Sequence, residues 1–226
     1  MEIKKTSTAA IAHGLKVIVH GPAGSGKTRL CATTGDLENT LILSAEAGLL
    51  SLRDYDIDCI EVDNFAKLRE AFSYLKTGDH KYTWVCLDSL SEIAEVCLSA
   101  EKAKTTDGRK AYAELADVMF NLIRGFRNLP MNVYMSAKQA RIENDGSLVY
   151  SPLMPGRQLG MGLPYLFDEV FAMRVAKNDE GKIVRYLQTA NDGYYDAKDR
   201  SGALDLMEKA SLSYVQDKIT NGKSAN

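Results

Sequence analysis

The sequence predicts an α/β fold: a mainly parallel, twisted sheet flanked by helices and extended near the C-terminus by an antiparallel hairpin. Three observations predict it. Short apolar runs alternate with segments whose apolar residues recur at helical spacing. A glycine-rich loop separates the first such run from the first helical segment. Late in the chain, two further runs flank a polar turn. Strands joined by helical crossovers are buried on both faces, which is why most of these runs read as continuously apolar.

Leu15-Lys16-Val17-Ile18-Val19-His20 reads as the first buried strand. Gly21-Pro22-Ala23-Gly24-Ser25-Gly26-Lys27-Thr28 then satisfies every fixed position of the phosphate-loop pattern G-x-x-x-x-G-K-[ST], and Arg29 to Thr33 can continue as a helix. In that strand–loop–helix context the pattern predicts binding of a nucleoside triphosphate, read here as ATP with Mg²⁺. Glycines let backbone N–H groups wrap phosphates, and the helix start adds partial positive charge. Lys27 is placed to reach the β- and γ-phosphates, and the Thr28 hydroxyl to ligate the metal.

Two strands follow, from Thr40 to Ser44 and from Asp58 to Val62, and Asn64 caps a helix carrying Phe65, Leu68, Phe72 and Leu75 that Gly78 ends. A buried strand from Tyr82 to Leu87 ends in Asp88, and a helix runs from about Leu90 to near Lys102. Tyr112, Leu115, Met119, Leu122, Ile123 and Phe126 mark a helix from Arg109 to Asn128, which Pro130 separates from a strand over Met131 to Ala137. The runs from Glu169 to Ala176 and Ile183 to Thr189 form the hairpin, and a last helix is expected from about Ala203 to Thr220. All 226 residues fit one domain, with a short leading segment (1–14) and a frayed polar tail (221–226).

Composition narrows the function classes. A hydrophobic fraction of 45% and a charged fraction of 26% describe an ordinary globular protein. No apolar stretch reaches about 18 residues, and Met1 to Thr8 lacks the apolar core of a signal peptide, so no membrane association and a cytoplasmic location are expected. Cys31, Cys59, Cys86 and Cys97 are scattered without metal spacing and read as reduced thiols. His13, His20 and His80 have no constellation around them and read as structural. A net charge of -2 makes the whole molecule no generic polyanion binder, while leaving room for a local basic patch.

Val85-Cys86-Leu87-Asp88 has the form of the second nucleotide motif, and Asp88 is expected to hold Mg²⁺. The next residue is Ser89, so the glutamate that many motor ATPases carry there is missing. Glu46, just beyond the end of the second strand, is the candidate general base for water. Its alternative role is a helix-start acid before Ala47-Gly48-Leu49. Glu92 and Glu95 are weaker candidates on a helix.

With GPAGSGKT, LILSAEAG, VCLDS and MNVYMSAKQAR in this order, the chain resembles the core ATPase of the RecA family over roughly Lys16 to Arg200. Core-only chains of this kind are similar to phage-encoded RecA-like nucleotide-binding proteins, some of which are single-strand annealing proteins. The resemblance implies a RecA-like P-loop NTPase fold and an ATP hydrolase, slow or DNA-stimulated, in the host cytoplasm if phage-encoded. It implies that Gln139 senses the γ-phosphate, with Lys138 as fallback. Asp196-Ala197-Lys198-Asp199-Arg200 resembles the basic pair inserted into a neighbour's site, making Lys198 and Arg200 candidate trans-acting fingers. On residues alone it is equally a solvated turn. Self-association into a ring or filament follows from the resemblance, although the N-terminal linking arm of RecA looks absent.

Two segments fall where RecA-like proteins place DNA loops. The first, Lys102 to Lys110, offers Lys102, Lys104, Arg109 and Lys110. The second, Ala140 to Gly162, offers Arg141 and Arg157 with Tyr150 for stacking, and Gly156, Gly160 and Gly162 are expected to keep it mobile. Residues alone equally allow ordinary exposed loops, with Arg141 to Tyr150 a hairpin turning at Asn144-Asp145-Gly146. The favoured function is an ATPase acting on single-stranded DNA in recombination or annealing. The alternative is a loader or remodeller of a replication protein such as a helicase, with a single-strand binding protein as another possible partner. A small-molecule kinase is disfavoured, because no arginine-rich lid segment is present.

Overall fold

The computed structural model describes residue 5 and residues 13–46, 48–144 and 146–222. Its strands are β1 (Lys16–His20), β2 (Thr40–Ser44), β3 (Asp58–Glu61), β4 (Trp84–Asp88), β5 (Asn132–Ala137), β6 (Gln139–Asn144), β7 (Ser147–Pro152), β8 (Glu169–Lys177), β9 (Ile183–Gln188), β10 (Lys198–Asp199) and β11 (Met207–Lys209). Its helices are α1 (Lys27–Leu30), α2 (Phe65–Thr77), α3 (Leu90–Lys104), α4 (Gly108–Arg127), α5 (Arg157–Gly162) and α6 (Leu212–Asn221), with short 3-10 turns between.

Among the described residues nine strands form one sheet in the order β11-β9-β8-β1-β5-β4-β2-β3, with β10 beside β8. β1 to β5 and β8 are parallel, while β9, β10 and β11 pair antiparallel. One strand, β5, stands between the phosphate-loop strand β1 and the Asp88-bearing strand β4. This mainly parallel sheet flanked by helices is the expected α/β architecture. The antiparallel extension built from β8 and β9 lies where the sequence places it.

Strand periodicity explains the two helical layers. Successive side chains point to opposite faces, so Ile18, Leu41, Leu43, Val85, Leu87, Val133 and Met135 pack with α2, α3 and α4. Val17, Val19, Ile42, Trp84, Cys86, Tyr134 and Phe171 pack on the other face with Leu30 and Cys31 after the phosphate loop and with Leu212 and Val215 of α6. Lys16 is buried within β1 and donates from Nζ to the carbonyls of Leu129, at 2.8 Å, and Met131. Among the described residues no helix is long and apolar enough to cross a membrane.

Three expectations need correction. Lys102 to Lys110 is not one loop: α3 continues to Lys104 and α4 starts at Gly108, because the Asp107 carboxylate accepts from the backbone N–H groups of Arg109 (2.9 Å) and Lys110 (3.4 Å). Ala140 to Gly162 is not a mobile loop either. Its first part is the β6–β7 hairpin, with Arg141 opposite Tyr150, and Arg157 to Gly162 is helical. The Asp145 of the expected hairpin turn lies outside the described residues, as do Ala47 beside Glu46 and most of both termini. Finally, the last helix starts at Leu212 rather than near Ala203. Ser211 caps it, and the residues before it form β11 on the edge of β9.

Candidate nucleotide site

The carboxyl ends of parallel strands are where such sheets bind ligands, and the structure gathers the predicted groups there. Gly21 to Gly26 connects β1 to α1, with Gly24 and Gly26 at φ 72° and 106°, a left-handed conformation that lets the chain turn tightly. Lys27 Nζ lies back on its own loop, donating to the carbonyls of Gly21 (2.9 Å) and Pro22 (3.0 Å). Burial lowers its pKa, an effect opposed by the nearby carboxylates of Glu46 and Asp88. The Ser25 hydroxyl is buried with no hydrogen-bond partner among the described residues, a polar group left for a ligand within the loop.

Asp88 closes the other side. It is 2% exposed, its Oδ2 accepts from Thr28 Oγ1 at 2.7 Å, and its Oδ1 accepts from the Ser136 hydroxyl. Burial raises its pKa, which those two hydroxyls and Lys27 offset. An oxygen pair from a threonine and a carboxylate suits Mg²⁺, which commonly takes only one or two protein ligands and completes its shell with phosphate and water. Among the described residues there is no cluster of three or more His, Cys, Asp or Glu that could hold a metal without a phosphate.

Glu46 comes to the same site from the end of β2. Its Oε1 accepts from the Ser89 hydroxyl and lies 3.8 Å from Lys138 Nζ, while its side chain keeps about a third of its surface in solvent (32%). Ser89 therefore does two jobs: it caps α3 through the Glu92 N–H (3.3 Å) and fixes the glutamate that its own position lacks. Lys138 pairs with Glu92, and hydrogen bonding to that carboxylate raises its pKa. Gln139 sits one residue further along, its Nε2 3.0 Å from His20 Nδ1.

Lys198 and Arg200 do not join this cluster. β10 pairs with Glu169 and Val170 of β8, which lie beside Val17 and Ile18 near the start of β1, whereas the phosphate loop leaves β1 at His20, beside Ala172. Lys198 Nζ donates to the carbonyls of Pro164 (2.8 Å) and Phe167 (2.7 Å), and Arg200 pairs with Asp168 at 2.6 Å. The basic residues of the two corrected segments separate. Lys104 pairs with Glu101 (2.6 Å), Lys110 sits in the first turn of α4, and Arg141 lies over the Tyr150 ring (5.7 Å). Arg109 and Arg157 instead line one cavity of about 590 Å³ with Tyr112 and Gln158.

Three contributors escaped sequence reasoning. Arg185 of β9 donates from Nε to the Ser25 carbonyl at 3.0 Å, against the back of the phosphate loop. Tyr134 donates its phenolic O–H to the Lys27 carbonyl at 2.8 Å, holding α1 to the sheet. Ser136 orients Asp88. Only Ser136 carried a signal, being a hydroxyl residue near the C-terminal end of the expected strand Met131 to Ala137.

Sheet order, phosphate loop and facing aspartate together define a P-loop nucleotide-binding protein of the NTPase class. Comparison narrows this: the family profile described as AAA domain matches residues 13–201, and the chain belongs to that AAA domain family. No curated protein matches it. Similar solved structures include the RadB recombinase, at 15% identity over 85% of this chain and 97% of that one with a TM-score of 0.45. They also include a KaiC-like protein from Pyrococcus horikoshii OT3, at 14% identity over 77% and 78% with a TM-score of 0.44.

Proposed function

We propose that this chain is a Mg²⁺-dependent ATP hydrolase whose nucleotide cycle is coupled to single-stranded DNA, in recombination or annealing. Thr28 and Asp88 would hold Mg²⁺, which when bound would offset charge on the β- and γ-phosphates. Lys27 leaves its two loop carbonyls to pair with phosphate oxygens. Glu46, fixed through Ser89, orients the attacking water and takes its proton at a carboxylate oxygen. Gln139 reads the γ-phosphate from the end of β5. In an assembled ring or filament, Lys198 and Arg200 would exchange their internal partners for a neighbour's phosphates.

The observation that carries the DNA reading is the shared cavity. Arg109 comes from the start of α4 and Arg157 from α5, yet both line it, and none of the described residues lining it is acidic. Tyr112 offers an aromatic ring there, 40% exposed, with the Lys102 ammonium 5.4 Å from its centroid. Guanidinium groups beside a ring suit a phosphate and its base in a single strand, where stacking contributes about 1–3 kcal/mol per base.

The test is fluorescence anisotropy of a labelled single-stranded oligonucleotide with Mg-ATP, with Mg-ADP and without nucleotide. ATP-dependent binding that Lys27→Ala abolishes and Arg109→Ala with Arg157→Ala weakens supports the reading. Absence of binding at low salt in every state refutes it and directs the search to a protein partner, such as a helicase that the ATPase loads or remodels.

A further inference from the structure

His20 is the last residue of β1, directly before the phosphate loop, and it is fully buried. Burial pushes its pKa down to about 4, so near neutral pH the ring carries one proton. Its two nitrogens serve two elements. Nδ1 lies 3.0 Å from Gln139 Nε2, an amide N–H that can only donate, so Nδ1 is the acceptor and the proton sits on Nε2. Nε2–H then donates to the Asp196 carbonyl at 2.7 Å. The neutral tautomer is thus fixed by its neighbours, and both ring nitrogens are satisfied.

The Asp196 end of this bridge is held from a second side. Asp196 N–H donates to the Tyr150 carbonyl (2.8 Å), Tyr150 N–H donates to the Tyr194 carbonyl (2.7 Å), and Ser151 Oγ donates to Asp196 Oδ2 (3.0 Å). The rings of Tyr150 and Tyr195 stack at 4.9 Å, and the Arg174 guanidinium lies 3.7 Å from the Tyr195 centroid. Two residues beyond Asp196 the chain enters β10, which carries Lys198. A displacement of Gln139 therefore has a short, hydrogen-bonded route through one imidazole to the backbone that leads to Lys198 and Arg200.

We propose that His20 is a positioning residue that ties Gln139 to the Asp196 main chain, so that nucleotide occupancy in one subunit sets the placement of the Lys198–Arg200 segment. This rests on the nucleotide reading above and adds to it a direction of communication, from the chain's own site to the Lys198–Arg200 segment. A two-sided hydrogen-bond donor and acceptor is required at this position; a residue of the same size without polar atoms breaks the tie.

Hydrogen exchange of the full chain, with and without Mg-AMP-PNP, separates the cases. In the wild type the analogue slows exchange in peptides covering residues 21–28 and also 189–200, the latter about fivefold for one hydrogen bond's worth of protection. In His20→Phe the response over 21–28 persists and that over 189–200 disappears; His20→Gln, with an acceptor and a donor, restores it. An unchanged 189–200 response in His20→Phe, or a loss that His20→Gln does not restore, overturns the proposal. Wild-type protection over 21–28 without any over 189–200 overturns it too. No protection over 21–28 in the wild type refutes the nucleotide reading itself. Should His20→Phe not fold, the wild-type imidazole ¹⁵N resonances decide: a shift of Nδ1 or Nε2 on adding the analogue is expected, and its absence contradicts the coupling.

Discussion

Replacing Glu46 by Gln removes a charge and a proton acceptor while sparing the surrounding contacts. The amide carbonyl oxygen of the substituted side chain can still accept from the Ser89 hydroxyl, and Lys138 keeps its ion pair with Glu92. The lost Lys138–Glu46 contact is long, at 3.8 Å, between side chains 42% and 32% exposed, so stability should change by less than about 1 kcal/mol. Catalysis should change far more. Losing a positioned general base costs about 10²–10⁴ in rate, equivalent to ~3–5 kcal/mol of transition-state stabilisation at 1.36 kcal/mol per tenfold. Phosphate release under saturating Mg-ATP measures the rate, and a fluorescent ATP analogue measures binding, which should stay within about threefold of wild type because only the proton transfer is lost. A turnover rate within about threefold of wild type would refute the assignment, since no base effect is that small.

Arg185→Met should weaken analogue binding about fivefold, because it removes the donor that steadies the Ser25 carbonyl; unchanged affinity in the same titration would make that contact incidental. For the cavity, Arg109→Ala with Arg157→Ala should make the log–log salt dependence of single-strand binding shallower by about 1.4, at roughly 0.7 per phosphate contact. A slope that does not move places the strand elsewhere. Glu169 gives a stability prediction: burial, then the Asp199 carboxylate beside it, raise its pKa from 4.5 to about 8. The folded state thus holds this proton more tightly than the unfolded state, so its stabilising contribution is complete below about pH 4.5 and is lost as pH rises through 8. Glu169→Gln, neutral throughout, should therefore gain about 4 kcal/mol relative to wild type between pH 5 and 9 in denaturant titrations, at 1.36 kcal/mol per pKa unit. A parallel pH dependence of the two proteins would contradict the assignment.

What was legible in the sequence was local. The phosphate loop is eight contiguous residues, and Asp88 ends an apolar run, so neither needs tertiary information. The alternation of strands and helices gave the parallel sheet for the same reason, since each run reports its own burial. Charge and glycine content misled in the two candidate DNA segments. A single aspartate at position 107 turns a basic stretch into a helix start, and strand pairing absorbs Arg141 and Tyr150. The start of the last helix was misplaced because residues 207–209 are recruited as a strand by β9, a partner that local propensity does not reveal. Long-range contacts were beyond reach. Arg185 and Ser25 are 160 residues apart in sequence, and His20 and Asp196 are 176 apart, with nothing in either residue's neighbourhood to announce the pairing. Reading His20 as merely structural missed that its two nitrogens join different elements.

The central claim is that Gly21 to Thr28 and Asp88 form one Mg²⁺–triphosphate site. Calorimetric titration of ATP into the wild type and into Lys27→Ala and Asp88→Asn, with Mg²⁺ and with EDTA, tests it directly. The account predicts binding to the wild type that is tighter with Mg²⁺, loses that Mg²⁺ enhancement in Asp88→Asn, and vanishes in Lys27→Ala. Equal binding by the wild type and Lys27→Ala, or no binding by the wild type with Mg²⁺, would contradict it.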